Sequence, residues 1–235
     1  MVTEEYWTNL DEKLVSLIKY GHCQLPPISN LDLNSYSERI SREANYATFS
    51  SLVGSHREFL SVLSVERYLV PKLYEIARDR FGFKGDISDQ YHIARRVEAG
   101  NQQESYRAHF DSHLFTLVIP LKIPEATFNG SQGELIYLPN ARKMPKSEVI
   151  NIGEKLYWKK FANKKGVREL QANAAVRTAN FLDYRPLLFV GNTTFHVNKP
   201  VSSGCSDYRL TLLSHFFDPS TSYGIGALLR KIRRR

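Results

Sequence analysis

Apolar positions recur at helical spacing through the first 85 residues. In the first predicted helix they are Tyr6, Leu10, Leu14, Leu17 and Ile18. Gly21 is typical of a residue that ends such a helix. The helical pattern returns from about residue 33 to 81, with a break at Gly54 and a bend or restart at Pro71. We therefore predict a helical support layer over residues 1–85.

After the glycine-rich stop at 82–85, short runs of β-branched and aromatic residues predict strands. The predicted strands are 91–97, 106–123 (one or two strands, broken by prolines), 133–138, 187–190, 194–197 and 208–217. Turns are predicted at 99–101 and at Asn129-Gly130, and a mostly helical, basic segment at 141–182 interrupts the strands.

Helices followed by strands predict an α+β fold, in which a packed N-terminal helical layer covers an antiparallel β-sandwich or jelly roll. The expected arrangement is a single domain, 1–235, with its jelly-roll core at 90–140 and 183–218. Segment 141–182 would be a helical insert.

Composition excludes several classes of protein. The chain has 235 residues, of which 42% are hydrophobic and 24% charged, and these values argue against disorder, collagen and coiled coil. Cys23 and Cys205 have no disulfide or metal spacing, which favours a reducing compartment. There is no run of 18 apolar residues, and acidic residues near Met1 are atypical of a signal peptide, so we expect a cytoplasmic protein.

The net charge of +8 is unevenly distributed. Segment 140–180 has ten Lys or Arg against three Glu, and five of the last six residues are basic, so the remainder is net acidic. This pattern makes nucleic-acid binding an unlikely function. The basic tail, 219–235, mixes apolar and basic residues and could contact a membrane surface or an acidic partner, with a frayed terminus as the alternative.

In the β-rich part of the chain, one histidine is followed two residues later by a carboxylate, in His109-Phe110-Asp111. Residues i and i+2 of a strand share a face, roughly 6.6 Å apart, so both side chains could bind one ion. His196, which follows a distant apolar run, would complete a two-histidine, one-carboxylate set of the kind that binds iron(II). The alternative is a strand histidine hydrogen-bonded to a nearby acid.

Arg209 and Thr211 begin the last apolar run and would share a strand face. An arginine in such a run could bind a carboxylate through two hydrogen bonds, whereas the alternative is a surface ion pair.

These residues resemble the iron(II)- and 2-oxoglutarate-dependent oxygenases, on the prolyl-hydroxylase-like side of that superfamily. The resemblance runs from about Tyr91 to Phe217. Its motifs, in order, are Tyr106-Arg107-Ala108-His109-Phe110-Asp111, Phe115-Thr116-Leu117-Val118-Ile119-Pro120-Leu121, Gly133-Glu134-Leu135-Ile136-Tyr137, Leu188-Phe189-Val190, His196-Val197-Asn198-Lys199-Pro200-Val201 and Arg209-Leu210-Thr211.

The resemblance implies a double-stranded β-helix in which His109, Asp111 and His196 bind Fe(II) and act in catalysis. It implies that Arg209, assisted by Thr211, binds the distal carboxylate of 2-oxoglutarate. The implied reaction consumes O2 and 2-oxoglutarate, with ascorbate as an optional reductant, and releases succinate and CO2. The carboxylate at Asp111 favours hydroxylation over halogenation, and desaturation, epoxidation or ring formation stay open.

Many relatives place a tyrosine, which helps to hold 2-oxoglutarate, near the turn before the first ligand, and here Val97 stands near that position. Tyr91, His92 and Tyr106 are the candidates for that missing contact. Two further histidines lie nearby. His113 would share a strand face with His109. It is a rival ligand, an outer hydrogen-bond donor or an ordinary surface or core residue. His215 is interpreted as structural.

The leading hypothesis is a hydroxylase of a small molecule or polar metabolite, which could be anionic. The alternatives are a protein hydroxylase of the prolyl type and a non-catalytic binding module on an oxygenase scaffold. In segment 141–182, the residues Tyr157, Trp158, Lys159 and Lys160 could contact substrate as part of a lid, or could belong to a solvated helical face.

Overall fold

The computed structural model describes residues 4–28, 31–43, 49–51, 54–101, 105–125, 130–145 and 148–219. The helices in these ranges are α1 Glu4–Trp7, α2 Leu10–Tyr20, α3 Leu33–Glu43, α4 Gly54–Val62, α5 Val65–Phe81, α6 Glu148–Trp158 and α7 Lys164–Gln171. The strands are β1 His22–Gln24, β2 Phe49–Ser51, β3 Gln90–Val97, β4 Phe115–Lys122, β5 Leu135–Leu138, β6 Arg177–Ala179, β7 Leu187–Val190, β8 Phe195–Asn198 and β9 Arg209–Phe216.

Helix α2 ends as the sequence predicts. Gly21 adopts a φ of +79°, and its N–H donates to the Leu17 carbonyl. A residue with a Cβ would pay a steric penalty in this left-handed conformation, which is why glycine commonly ends helices.

The restart predicted at Pro71 was wrong, and the bend predicted there as the alternative stays a prediction. Helix α5 runs without a break through Pro71, and the chain restarts earlier, at Ser64, which has a φ of +55°. A proline inside a helix loses one hydrogen bond and crowds the carbonyl of the preceding turn. The buried Leu69, Val70 and Leu73 pack this helix into the core, and their burial offsets that cost. The helical expectation for 33–81 also missed β2, which pairs with β3.

Two antiparallel sheets form the second half of the chain. The larger has six strands in the order β1-β7-β4-β9-β3-β2, and the smaller has three in the order β6-β5-β8. Strand β6 lies within the segment 141–182 that the sequence predicted as mostly helical. Mixed helices and antiparallel sheets confirm the predicted α+β class.

The six-stranded sheet separates two environments because side chains alternate along each strand. In β9, Leu210, Leu212 and Phe216 belong to the main core beneath helices α2 and α5. Residues of the opposite parity, including Arg209 and Thr211, line a cavity on the other face. The fold therefore turns one row of residues in β9, which includes the polar Arg209 and Thr211, toward a single cavity.

The predicted strand 106–123 is shorter in the structure. Only β4, 115–122, is a strand, and it continues through Pro120, with a shift in its pairing with β9 between Pro120 and Lys122. The pairing of β4 with β7 ends at Val118, two residues before Pro120. Pro120 therefore needs no backbone N–H to pair with β7. Asn129 of the predicted turn, and residues 220–235 of the basic tail, lie outside the described residues.

Within the ranges given above, none of the helices combines the length and the apolar character that crossing a bilayer requires.

Candidate metal centre

His109, Asp111 and His196 come together although 87 positions separate the two histidines. One possible ligand atom from each residue lies within 4.8 Å of the others. Oδ1 of Asp111 is 3.3 Å from Nε2 of His109 and 3.6 Å from Nε2 of His196. The ring centroids of the two histidines are 4.3 Å apart.

Backbone pairing brings these side chains together. His109 and His196 form an antiparallel bridge, in which each N–H donates to the other residue's carbonyl at 3.0 Å. The N–H of Asp111 donates to the Gly191 carbonyl at 3.1 Å. His196 itself lies in β8, where it pairs with Tyr137 of β5.

The prediction that His109 and Asp111 lie along a strand was wrong. Their segment makes a single bridge, because Asp111 bonds to the turn at Gly191 instead of continuing the ladder. Phe110, between them, is buried in a separate apolar cluster with Phe195. The two side chains still converge, since Phe110 points away from the cavity.

Both histidines present the nitrogen that a metal needs. Nδ1 of His109 donates to the Arg107 carbonyl at 2.8 Å, and Nδ1 of His196 donates to the Thr194 carbonyl at 3.2 Å. A carbonyl oxygen only accepts, so Nδ1 carries a proton in each ring, and in the neutral imidazole Nε2 then keeps its lone pair. Backbone carbonyls commonly orient metal-binding histidines in this way.

Asp111 is held from behind by two polar side chains. The Thr116 hydroxyl donates to Oδ2 of Asp111 at 2.6 Å. Nδ1 of His215 lies 3.1 Å from that hydroxyl oxygen and 3.8 Å from Oδ2. This arrangement leaves Oδ1 directed at the two histidines, so one carboxylate oxygen is fixed and the other is presented.

Electrostatics favour an ionised acid beside a neutral imidazole. Burial would raise the pKa of Asp111, but the positive charge that His196, His215 and His109 can carry outweighs it and holds that pKa well below its usual range. Burial lowers the pKa of His196 to about 4. A carboxylate and a neutral imidazole are the protonation states that metal binding requires.

Arg209 and Thr211 line the same cavity as the three candidate ligands, and the cavity has a volume of about 510 Å³. Arg209 is 3% exposed and donates through Nη1 to the Gly133 carbonyl. Burial lowers the pKa of Arg209 to about 9, and the nearby positive charge of Arg95 lowers it as well. Even so, the guanidinium remains charged at neutral pH, and it is a natural partner for a carboxylate.

All five site residues predicted from the sequence therefore face one cavity, and their roles stay predictions. Of the candidates for the missing tyrosine contact, Tyr91 and Tyr106 line the cavity. His92 faces the other way, with Nδ1 2.9 Å from the Ser214 hydroxyl. Val97 packs with Val201 and Cys205 in a small apolar cluster.

Sequence reasoning missed Arg95, Thr116 and Gly191. Arg95 is 8% exposed and lines the cavity. Arg95 lies on the same face of β3 as Tyr91 and Ile93. Because Tyr91 was already a candidate, this alternation could have identified Arg95 from the sequence. Thr116 carries no such signal, because its importance depends on contacts with residues 5 and 99 positions away.

The other predicted histidines are outside the ligand set. Among the described residues, the only cluster with metal-binding geometry is His109, Asp111 and His196. The ring of His113 lies 5.3 Å from that of His215, and His215 contacts Thr116. His215 therefore lies behind the acid and lines the cavity, and the structural role expected for it stays a prediction.

The helical segment after β5 is anchored beside the metal centre. Arg142, whose side chain is 3% exposed, donates to the Asn192 carbonyl at 2.7 Å and pairs with Glu154 of α6 at 3.0 Å. Val167 and Leu170 of α7 are buried. Of the four residues predicted to face a substrate, only Lys159 lines the cavity; Tyr157 is 62% exposed, and Trp158 packs against Phe195.

No protein-family model matches this sequence, and no curated protein matches it either. Solved structures do resemble the fold. A prolyl-4-hydroxylase from Pseudomonas putida matches with a TM-score of 0.53 and 15% identity, over 88% of this chain and 93% of that chain. HygX from Streptomyces hygroscopicus, with nickel and 2-oxoglutarate bound, matches with a TM-score of 0.55 and 11% identity, over 87% and 86%.

A third structure is a prolyl hydroxylase from Trichoplax adhaerens in complex with a peptide of hypoxia inducible factor. It has a TM-score of 0.51 and 12% identity, over 92% of this chain and 91% of that chain. The chain thus shares the fold of these prolyl hydroxylases and of HygX, and the sequence resemblance is confirmed at the level of fold. At these identities the likeness defines the fold alone.

Proposed function

We propose that this protein is an iron(II)- and 2-oxoglutarate-dependent dioxygenase, built on a double-stranded β-helix formed by its two sheets. The observation that carries the proposal is a cluster of two Nε2 atoms and one carboxylate oxygen that opens into the same cavity as a buried arginine. Three ligands on one side of a metal leave positions for other groups, as in non-haem iron oxygenases.

The three ligands would hold the metal in a fixed orientation. His109 and His196 would donate Nε2 lone pairs, with their rings set by the Arg107 and Thr194 carbonyls. Asp111 would supply the negative charge through Oδ1 while Thr116 holds Oδ2. When bound, an iron(II) ion would supply the redox chemistry that couples oxidation of 2-oxoglutarate to oxidation of a C–H bond.

Arg209 would bind the distal carboxylate of 2-oxoglutarate, with the Thr211 hydroxyl beside it. Both residues are 3% exposed, so their charge-assisted hydrogen bonds would form away from water, where they are strong. Gly133 accepts a hydrogen bond from Arg209 and so fixes the guanidinium. HygX, which has a similar fold, binds nickel and 2-oxoglutarate together, and this supports the proposal that the cavity binds a metal ion and 2-oxoglutarate.

The cavity walls would exclude water from the reacting groups. Its apolar lining includes Val118, Leu135, Phe189, Val197 and Leu213. Water exclusion strengthens the electrostatic contacts of Arg209 and protects reactive species from side reactions. The aspartate at position 111 occupies a coordination position, which favours hydroxylation over halogenation.

The leading substrate is a small or polar metabolite. The cavity volume, about 510 Å³, is within the usual range for small-molecule sites. Segment 141–182 would act as the lid, since Lys159 and Ala162 already line the cavity. A protein substrate is the second candidate, because two of the similar structures are prolyl hydroxylases and one of those holds a peptide.

Turnover of 2-oxoglutarate tests the proposal directly. Purified protein would be incubated with iron(II), ascorbate and 2-oxoglutarate in air, and succinate would be measured. We expect slow release even without substrate, and loss of at least 100-fold in Asp111→Ala and His196→Ala. His92→Asn, on the other face of β3, is the matched control and should retain turnover. Succinate release that persists in both ligand variants would refute the assignment.

The two substrate classes can be separated with the same variants. Cellular extracts of small molecules and of proteins would be treated with active protein or with Asp111→Ala, and a gain of one oxygen would be sought by mass spectrometry. An oxygen added to a metabolite supports the leading candidate. An oxygen added to a protein side chain supports the alternative.

A further inference from the structure

Helix α6 has the reverse of the usual orientation of its polar and apolar sides. Asn151 and Glu154 point into the protein, where they accept hydrogen bonds of 2.9 and 3.0 Å from Arg142. Trp158, on the same side of the helix, packs against Phe195 with a centroid distance of 4.7 Å. A surface helix normally buries its apolar side and turns its polar side to solvent. In α6, two polar side chains help to fix the helix to the protein instead.

The apolar residues of α6 point outward. Val149, Ile152 and Leu156 are spaced three and four positions apart, so they form a row along one side of the helix. They are between 57% and 80% exposed, and Tyr157 beside them is exposed as well. We call these four residues the α6 face. Apolar side chains grouped in this way on a surface mark a site where another molecule binds.

Positive charge adjoins the α6 face. Nζ of Lys160 lies 4.0 Å from the ring centroid of Tyr157, so a cation borders the apolar row. Lys159 and Lys164, close by in the chain, are also exposed. Glu154 does not offset these charges at the α6 face, because it is turned inward to Arg142. The partner of the α6 face should therefore combine apolar surface with negative charge.

Charge argues against two partners that this chain could supply itself. A second copy docked through the same face would bring two sets of these lysines together, and like charges across an interface are unfavourable. The C-terminal segment 220–235 is also excluded on this ground, since it has five basic residues among its last six and no acidic residue.

A lipid bilayer fits these features better than a groove in another protein. A groove encloses a bound helix on more than one side, whereas the side of α6 opposite the α6 face is already fixed by Arg142. A bilayer meets a helix from one side only, takes up its apolar side chains and attracts the lysines beside them. Residues 225–235 also mix apolar and basic residues, and an extended anionic surface would attract both segments.

From the reversed orientation of α6 and the lysines beside it, we propose that the α6 face docks on an anionic lipid bilayer. Val149, Ile152 and Leu156 enter the headgroup region, and Lys160 contacts the acidic headgroups. The docking surface lies beside the cavity, because Lys159, the neighbour of Lys160, lines it. Docking uses none of the candidate metal ligands and so does not depend on the proposed oxygenase activity.

Co-sedimentation with lipid vesicles tests this docking. Vesicles of phosphatidylcholine alone would be compared with vesicles of equal parts phosphatidylcholine and phosphatidylserine. We expect the full chain to bind the second kind, and to be released by high salt. The double variant Ile152→Ser/Leu156→Ser should bind about tenfold more weakly or less, because two apolar side chains no longer leave water. Lys160→Gln should weaken binding by about fivefold.

Val15→Ser is the matched control. Val15 is an exposed apolar residue of another helix, α2, and its replacement should leave vesicle binding as in the wild type. Urea unfolding would show that all variants are folded, which we expect because every altered side chain is exposed. A loss of binding in Val15→Ser equal to that of the double variant would overturn the assignment to the α6 face.

Insertion is measured separately with a tryptophan placed in the α6 face. In Leu156→Trp, fluorescence should be quenched by brominated lipids in the phosphatidylserine vesicles more strongly than in the wild type. Val15→Trp is the control and should show no added quenching. If Leu156→Trp shows none either, the lysines alone adsorb to the surface, and docking through the α6 face is overturned.

The other partners are distinguishable outcomes. No binding of the wild type to vesicles of either kind overturns the proposal, and binding to polyglutamate instead would assign the α6 face to an acidic protein. A dimer in sedimentation velocity that the double variant abolishes would assign it to a second copy. If the double variant binds vesicles as well as the wild type does, another basic segment binds the lipid and the role of α6 is overturned.

Discussion

The Thr116 hydroxyl donates a 2.6 Å hydrogen bond to one carboxylate oxygen of Asp111 and so leaves the other oxygen facing His109 and His196. Thr116 is buried in β4, and Asp111 lies in the irregular segment before that strand. The rigid sheet thereby fixes a side chain whose own backbone is not part of a strand. Outer contacts of this kind tune the ligands of many metal sites.

Thr116→Val should weaken metal binding by about 10- to 100-fold, because the carboxylate loses the donor that orients it. Valine has nearly the shape of threonine, so the packing is kept while the hydroxyl is lost. Competition with a fluorescent chelator would measure the affinity for Ni²⁺ or Fe²⁺. Thr116→Ser retains the hydroxyl and should stay close to wild type. Equal affinity in the valine and serine variants would show that the hydrogen bond is unimportant.

Gly191→Ala should also weaken metal binding. A Cβ at Gly191 would lie 2.7 Å from the Thr116 hydroxyl oxygen, 2.9 Å from the His113 carbonyl oxygen and 3.1 Å from the Asp111 Cβ. The first two distances are shorter than real contacts allow, so the hydrogen-bonded pair must move. We expect at least a tenfold loss in metal affinity, measured by calorimetry.

Gly153→Ala provides the comparison for Gly191. Gly153 lies in α6, and a Cβ there would meet no atom within 4 Å. Alanine favours a helix by up to about 1 kcal/mol relative to glycine. This variant should therefore be as stable as the wild type or more so, with unchanged metal affinity. A similar loss of affinity in both glycine variants would contradict the steric explanation.

Gly133→Ala should reduce both stability and 2-oxoglutarate binding. Gly133 has a φ of +81°, and an added Cβ would lie 3.0 Å from Cδ of Arg209, whose guanidinium bonds to the Gly133 carbonyl. Backbone strain alone costs about 1–3 kcal/mol. Gly82→Ala is the control, since its φ is +64° and a Cβ there meets nothing within 4 Å.

Urea unfolding and calorimetry separate the two effects. Both alanine variants should lose stability, because both positions have positive φ. Only Gly133→Ala should weaken 2-oxoglutarate binding, since only there does the new methyl group displace Arg209. If 2-oxoglutarate affinity falls equally in the two variants, the loss comes from the fold and not from the arginine.

The metal-free protein should lose stability as the pH falls from 6.5 to 4, in part through His92. Burial, and then the positive charges of His215, His56, Arg57 and His113, lower the pKa of His92 to about 4. The unfolded chain keeps a pKa near 6.5 and binds more protons in this window, so acid favours unfolding. The stability that depends on a neutral His92 is fully present above pH 6.5.

His92→Asn should flatten this dependence by on the order of 1–3 kcal/mol across the window. Asparagine can still bond to Ser214, which lies 2.9 Å from Nδ1 of His92 in the wild type. Urea unfolding at several pH values would measure the slope for both proteins, which should be similar in stability above pH 7. Parallel curves at all pH values would exclude His92 as a contributor.

The spacing of apolar residues was enough to predict the order of helices and strands along the chain. Apolar spacing distinguished the helices of the first third from the strands that follow, because burial on one face produces a different period in each. It did not locate the restart at Ser64, the continuation of α5 through Pro71 or the short strand β2. These depend on local backbone geometry and on pairing with β3, which a pattern in one segment does not contain.

Residue types and order also identified His109, Asp111, His196, Arg209 and Thr211 as candidates, since few side chains bind a metal or a carboxylate. Their meeting in one cavity was decided by the tertiary structure, through the bridge between His109 and His196 and through the alternation along β9. Only the fold brought Thr116 behind the acid, turned Arg95 into the cavity that Arg209 lines and left no room for a side chain at Gly191. Chemistry that belongs to one side chain is visible in the sequence, whereas distances between residues remote in the chain exist only after the sheets have formed.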